Sequence, residues 1–312
     1  NGGGSDMSDD SVDISLEFLG LRFPSPVILA SGVLGTTPGG LNKAAMAGAG
    51  GVTTKSLGIK PRDGHPLPAL VEVEGGYLNA MGLPNPGVES FTEEISSYEI
   101  PVPLIGSIYG SDAEEFAKAA IEIAPQVDLL ELNLSCPHGG DYGSTVGTKP
   151  SLVEDIIGRV QREIDLPLLA KLTPNVADIS EIGKAAQNGG ADAVVAVNTL
   201  NGMSIDIETE RPVLGNISGG LSGPAIHPVA VAAIYDLYQV LSIPLVGIGG
   251  ISSGRDLVEM MLAGASIVGL GTAIATEGLE VFRDINQFFR SYLCKKNLEP
   301  HELVGRAHEF KK

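Results

Sequence analysis

Cysteine is scarce. Cys136 and Cys294 are the only two in 312 residues, too few and too far apart for a disulfide framework, so a reducing cytoplasm is the expected setting. No CxxC pair occurs, and His138, two residues from Cys136, makes no recognised ligand spacing, so no metal site is expected. Tryptophan is absent and aromatics make up 5%, little material for a stacking surface. Basic residues are outnumbered, 20 against 38 acidic, for a formal charge of −18. Such a surface repels nucleic acid and anionic lipid, and neither is an expected partner. Apolar runs stay below the roughly 20 residues of a spanning helix. Asn1 to Asp6 read as a cloning remnant before a native Met7. Residues 7–312 carry no Pro/Ser linker and are expected to form one domain.

What is present is apolar and rich in glycine: 43% hydrophobic residues and 41 glycines. Short β-branched runs recur, each followed by a helical pattern. They are VILASG (27–32), GVTTKS (51–56), PLIGSIYG (103–110), LLELNLS (129–135), PLLAKLT (167–173), AVVAVNT (193–199), IPLVGIGG (243–250) and SIVGLGTA (266–273). Amphipathic stretches such as 111–124 and 151–164 lie between them, the first opening with a Ser-Asp cap and paired glutamates. Continuous apolarity in the strands implies a parallel sheet buried on both faces. Eight such units over about 250 residues predict a (β/α)8 TIM barrel. A doubly wound open sheet is the alternative, but no GxGxxG follows the first strand. Long Gly/Pro/Asn-rich insertions follow strands two (57–88), four (136–150) and six (200–228). These sit at the strand ends where barrels build their sites, and they read as ordered lids without helix.

Polar residues gather at those same ends. Strand two ends in Lys55 and Ser56, and strand four in Asn133, Ser135 and Cys136. Strand five carries Lys171 and Thr173, and strand six ends in Asn198 and Thr199. One lysine in an apolar strand can be a residue snorkelling to water, but two lysines and two asparagines at one mouth favour an anion site. The glycines Gly249, Gly250 and Gly271, with Thr272, close strands seven and eight. Glycines can simply permit tight turns; both turns together, ahead of helix N-termini, predict a phosphate cradle. Cys136 reads either as a small buried hydrophobe or, above the mouth, as a nucleophile or proton acceptor. Cys294 reads as a packing residue.

The motifs VTTKS (52–56), NAMGLPNPG (79–87), ELNLSCP (131–137), LAKLTPN (169–175), VNTLNGMSIDIETERPVLGN (197–216) and GGLSGPAIHPVAV (219–231), in this order, resemble the dihydroorotate dehydrogenase family, specifically its soluble class 1. The likeness runs from about Leu16 to His308. It implies an FMN-binding barrel that oxidises dihydroorotate to orotate, with Cys136 as general base. Lys55, Asn79, Met81, Gly82, Leu83, Asn133, Asn198 and Thr199 are then expected at the substrate. Ser31, Lys55, Ser56, Ser107, Asn133, Lys171, Val197, Gly223, Gly249, Gly250, Gly271 and Thr272 are expected at the FMN. Many members have Asn where this chain has His138, which could still bond the substrate or add a second titrating group.

The segment GGLSGPAI looks like class 1B, whose catalytic subunits dimerise and pair with a separate subunit carrying FAD and a [2Fe–2S] cluster that passes electrons to NAD. Class 1A homodimers, which use fumarate, are the alternative. The membrane-bound quinone class uses Ser as its base. Other readings kept open are the flavin domain of dihydropyrimidine dehydrogenase, a flavin-free phosphate-binding lyase or isomerase with Lys171 as a Schiff-base group, and a non-catalytic scaffold.

Overall fold

The computed structural model describes residues 12–135 and 146–310. Eight parallel strands close a barrel in chain order: β1 (Val27–Leu29), β2 (Gly51–Thr53), β3 (Leu104–Ile108), β4 (Leu129–Asn133), β5 (Leu168–Leu172), β6 (Ala193–Ala196), β7 (Leu245–Ile248) and β8 (Ala265–Leu270). Seven lie within their predicted runs, and β8 begins one residue before its own, at Ala265. Most stop short of the run's C-terminal end because the polar tip residues leave the ladder to form the mouth. Helices follow each strand: α1 (Pro38–Met46), α2 (Val88–Ile95), α3 (Ala113–Ile123), α4 (Pro150–Gln161), α5 (Ile179–Asn188), α6 (His227–Val240), α7 (Gly254–Ala263), then the short α8 (Ala273–Glu277) and the long α9 (Glu280–Lys296). Among the described residues no helix is long and apolar enough to cross a membrane.

The caps follow local chemistry. The Asp112 carboxylate accepts from the Glu114 and Glu115 amides at the start of α3, satisfying N–H groups that the helix itself cannot. Proline opens α4, where a missing N–H costs nothing. Cys294 sits half-buried in α9.

Strand alternation separates two cores. Leu104, Leu130, Leu132, Leu168, Ala170 and Leu172 face the helices. Ile105, Leu129, Leu169, Val195, Val246 and Ile267 face inward and fill the lower barrel. A hairpin that sequence reading did not foresee, Leu16–Phe18 paired with Leu21–Phe23, plugs the bottom. Its turn places Leu19 and Gly20 at φ 51° and 79°, as a two-residue connection between twisted strands requires. Phe18 and Phe23 meet edge to face at 5.8 Å. Moving up the barrel, the same inward positions turn polar: Ser107, Glu131 and Lys171 follow Ile105, Leu129 and Leu169 at a spacing of two.

Two of the insertions are not independent lids. The hairpin 70–79 and the strands Leu200–Gly202 and Gly219–Ser222 form one four-stranded antiparallel sheet, with Asn79 paired to Gly220. Glycine is obligatory there: a Cβ on Gly219 would lie 2.3 Å from the Asn79 carbonyl oxygen, and one on Gly220 2.0 Å from Thr199 Oγ1. A strand built of such residues carries no alternating signal. Of the third insertion, residues 136–145 lie outside the described residues, and 146–148 form a 3-10 turn before α4.

At the opposite end, Asn286 of α9 is 5% exposed. It accepts from Ser25 Oγ at 2.6 Å and donates to the Gly48 carbonyl at 2.8 Å. Asn286→Ala strands both partners, and each buried unpaired group costs about 1–3 kcal/mol. Urea unfolding should register a loss of about 2–4 kcal/mol, with ligand affinity at the distant mouth unchanged in the cold.

Candidate active site at the barrel mouth

The polar layer is one connected structure. Lys171 Nζ donates to Ser31 Oγ at 2.7 Å and lies 3.6 Å from Glu131 Oε1, their side chains 5% and 3% exposed. Ser107 Oγ donates to the same carboxylate oxygen at 2.8 Å. Ser56 Oγ is 2.9 Å from Ser107 Oγ and accepts from Asn133 Nδ2 at 3.0 Å. Asn133 Oδ1 accepts from Asn198 Nδ2 at 3.2 Å and from the Ser135 amide at 3.2 Å. Asn198 Oδ1 accepts from the Thr199 amide at 2.9 Å. Asn79 Nδ2 donates to the carbonyl of Gly220, the residue pressed against Thr199. Thr54 Oγ1 accepts from the Ser107 amide and donates to the Lys55 carbonyl, locking β2 to β3. Ser135 Oγ is buried without a partner among the described residues.

Lys55 stands apart. It is 8% exposed, and among the described residues no carboxylate pairs with it. Burial first, and the Lys171 charge second, push its ammonium down to about 8. Among the described residues, two buried ammonium groups stand against one carboxylate at the mouth, an excess of one positive charge that suits an anion.

The glycine side converges as well. Gly223, Gly249 and Gly250 have φ of 103°, 139° and 67°, values at which side chains are strained. A Cβ on Gly250 would lie 2.7 Å from the Gly223 carbonyl oxygen, one on Gly223 3.5 Å from Thr272 Cγ2, and one on Gly249 3.6 Å from Val197 Cγ2. Gly271 instead faces space clear to 4 Å. Behind this turn His227 Nδ1 bonds the Gly249 carbonyl at 2.9 Å. Its Nε2 is 3.4 Å from Glu259 but out of line for a hydrogen bond. At the start of α7 the Ser252 and Ser253 amides donate to Asp256 Oδ2, which closes a capping box with Ser253. The short α8 opens directly after Thr272.

Of the residues expected at the site, Ser31, Ser56, Ser107, Asn133, Lys171, Asn198, Thr199 and Asn79 fall in the polar network, and Val197, Gly223, Gly249, Gly250 and Thr272 in the glycine cluster. Met81, Gly82 and Leu83 do not join either. Gly82 lies against His65, whose amide donates to the Met81 carbonyl, Gly82 and Leu83 have positive φ, and the Leu83 carbonyl accepts from Asn85 Nδ2. Cys136 and His138 lie outside the described residues. Two contributors escaped sequence reading. Glu131 is a lone acid in an apolar strand, a signal of the same kind as Lys171. Asn175 bonds Thr173, the Thr199 carbonyl and the Asn201 amide; it closes the LAKLTPN motif but was not read as a site residue.

The depressed Lys55 pKa fixes the sign of a pH effect. In ligand-free protein the native state releases this proton near pH 8, whereas the unfolded chain keeps it to about 10.5. The native state therefore carries a desolvated charge below pH 8 and gains relative stability as pH rises through the window above it. Lys55→Met should be the more stable protein at pH 7, by on the order of 2 kcal/mol. The gap should narrow by pH 9.5 in urea melts; a gap constant across that range would refute the assignment.

A family model described as dihydroorotate dehydrogenase matches residues 13–293. Among curated relatives, the chain is 47% identical over 295 residues to the dihydroorotate dehydrogenase B (NAD(+)) catalytic subunit of Methanocaldococcus jannaschii, covering 93% of this chain and 96% of that one. It is 49% identical over 294 residues to the protein of the same name from Methanocella arvoryzae, covering 94% and 97%. The Thermococcus kodakarensis protein of that name is 48% identical over 297 residues, covering 95% and 98%. With a closed parallel barrel, a buried cationic mouth and likeness along nearly its whole length, the chain belongs to the dihydroorotate dehydrogenase family.

Proposed function

We propose that this chain oxidises (S)-dihydroorotate to orotate in pyrimidine biosynthesis, as the cytoplasmic catalytic subunit of an NAD-linked enzyme of class 1B. The observation that carries the reading is the buried charge arrangement: Lys171 is paired with Glu131, and Lys55 is left to receive an anionic ring. The names of the relatives support the NAD-linked subgroup over the fumarate-linked one.

The residues present fit FMN. Gly271 opens onto free space beside the Gly223–Gly250–Thr272 cluster, suited to a phosphate, and Lys171 supplies a fixed positive charge for the pyrimidine half of a flavin ring. FMN, when bound, would accept a hydride from C6 of the substrate. The remaining chemistry belongs to the chain. Lys55 would pair with the substrate carboxylate, which restores full protonation to its ammonium. Asn79, Asn133, Asn198 and Thr199 offer amides and a hydroxyl to the ring's ureide edge, and Met81 to Leu83 would cover it. Cys136 follows Ser135 directly, and in this reading its thiolate takes the C5 proton as the C6 hydride leaves, forming the C5–C6 double bond. A thiol suits this task because its pKa can be tuned close to working pH.

Electrons must then leave for another chain. With two cysteines in all and no dinucleotide fingerprint, this one cannot ligate an iron–sulfur cluster or bind NAD in the usual way. A homodimer joined by two copies of an FAD and [2Fe–2S] subunit, a heterotetramer, meets the need.

The holoprotein should be yellow and should bleach anaerobically with dihydroorotate. Cys136→Ala should keep its colour and bleach at least about 100-fold more slowly. NAD should stay oxidised until the partner subunit is added. A protein that remains colourless after incubation with FMN would sink this reading.

A further inference from the structure

Hydroxyl groups carry one proton each, so the polar layer has a direction. An ionised carboxylate can only accept, so Ser107 must donate to Glu131. Ser107 therefore accepts from Ser56 across their 2.9 Å contact. Ser56, its proton spent, accepts from Asn133 Nδ2. That turns Asn133 Oδ1 toward Asn198 Nδ2 and the Ser135 amide, and the Thr199 amide fixes Asn198 the other way round. The same Glu131 oxygen faces Lys171 Nζ at 3.6 Å, with Ser31 on the ammonium's other side. One carboxylate thus stands at the head of a donor chain crossing β3, β2, β4 and β6, and beside the only ammonium of the layer that has a counter-charge among the described residues.

We propose that Glu131 is a positioning residue for this site. It holds Lys171 in place and moderates its charge, and through Ser107 and Ser56 it supplies the acceptor that braces Asn133 Nδ2, while the Ser135 and Thr199 amides fix the two carboxamides from the other end. The proposal rests on the flavin-dependent reading above. A neutral amide at 131 would leave the Lys171 charge unopposed and could donate to Ser107, turning the Ser107 and Ser56 hydroxyls so that a donor faces Asn133 Nδ2. That opposition would loosen Asn133 against the ligand at little cost in packing, since Gln matches Glu in shape.

The test uses wild-type and Glu131→Gln holoprotein. Wild type is first shown to hold FMN and to bleach with dihydroorotate, so that failure at that stage counts against the flavin reading alone. Two quantities are then compared: the FMN midpoint potential, and the orotate Kd read from the flavin absorbance change. In FMN-loaded Glu131→Gln the reduction equilibrium should move about tenfold toward the reduced form, a rise of about 30 mV for a two-electron couple. Orotate should bind about tenfold more weakly, and Glu131→Asp should recover part of both. If both quantities stay within twofold of wild type, the proposal is overturned. A change in one alone overturns the half that stays silent. Should Glu131→Gln fail to fold, Ser107→Ala cuts the same chain while keeping the carboxylate. Its orotate Kd should rise about fivefold, and an unchanged Kd would refute the chain.

Discussion

A carboxylate and an ammonium buried almost completely inside a barrel must lie together, because either alone would cost several kcal/mol in that medium. Glu131 and Lys171 sit on adjacent strands, and their 3.6 Å contact sets the chemistry of everything above it. Below them the barrel is filled with Ile105, Leu129 and Leu169; two residues further along the same strands stand Ser107, Glu131 and Lys171. The apolar lower layer excludes water and holds the eight strands rigid. The polar layer can therefore keep fixed dipoles aimed at a ligand without relaxing around it, which is the arrangement that favours charge development in a reaction.

Glycine works at the other margin of the site. At Gly219, Gly220, Gly223 and Gly250 the backbone comes so close to its neighbours that a methyl group would collide. These approaches join the second and sixth connections into one sheet and bring the ends of β6, β7 and β8 to a common place. Part of the high glycine content thus lies where separate loops must touch. The acidic surface and the cationic mouth coexist for a related reason: Lys55 and Lys171 act at contact range in a poorly screened interior, while the surface carboxylates are screened by water and salt.

Much of the barrel was legible because parallel strands buried on both faces write continuous apolar runs, and a strand of the closed barrel falls on each of the eight runs. The site was legible in part. Lys171 announced itself as a charge in an apolar strand. Glu131 carries the same mark, but its pairing with Lys171 joins residues forty positions apart on adjacent strands, which no local pattern shows. The sheet of 70–79, 200–202 and 219–222 was read as lids because its glycine-rich strands lack alternation and its partners are over a hundred residues apart. The bottom hairpin went unread because three-residue strands fall below any periodic signal. The contact of Gly82 and the Met81 carbonyl with His65 went unread because no local pattern encodes it.

By itself the sequence determined the strand order, the barrel, the family and the set of polar residues carried to the strand ends, since these depend on local apolarity and on motifs read within a few residues. Cys136 is expected there from its motif and lies outside the described residues. Only the tertiary structure decided which ammonium is paired and which is left bare, which way the hydrogen bonds of the mouth run, and that two distant insertions form one sheet. Those facts depend on distances between groups far apart in the chain, and electrostatic energy and hydrogen-bond direction are functions of such distances, not of sequence separation.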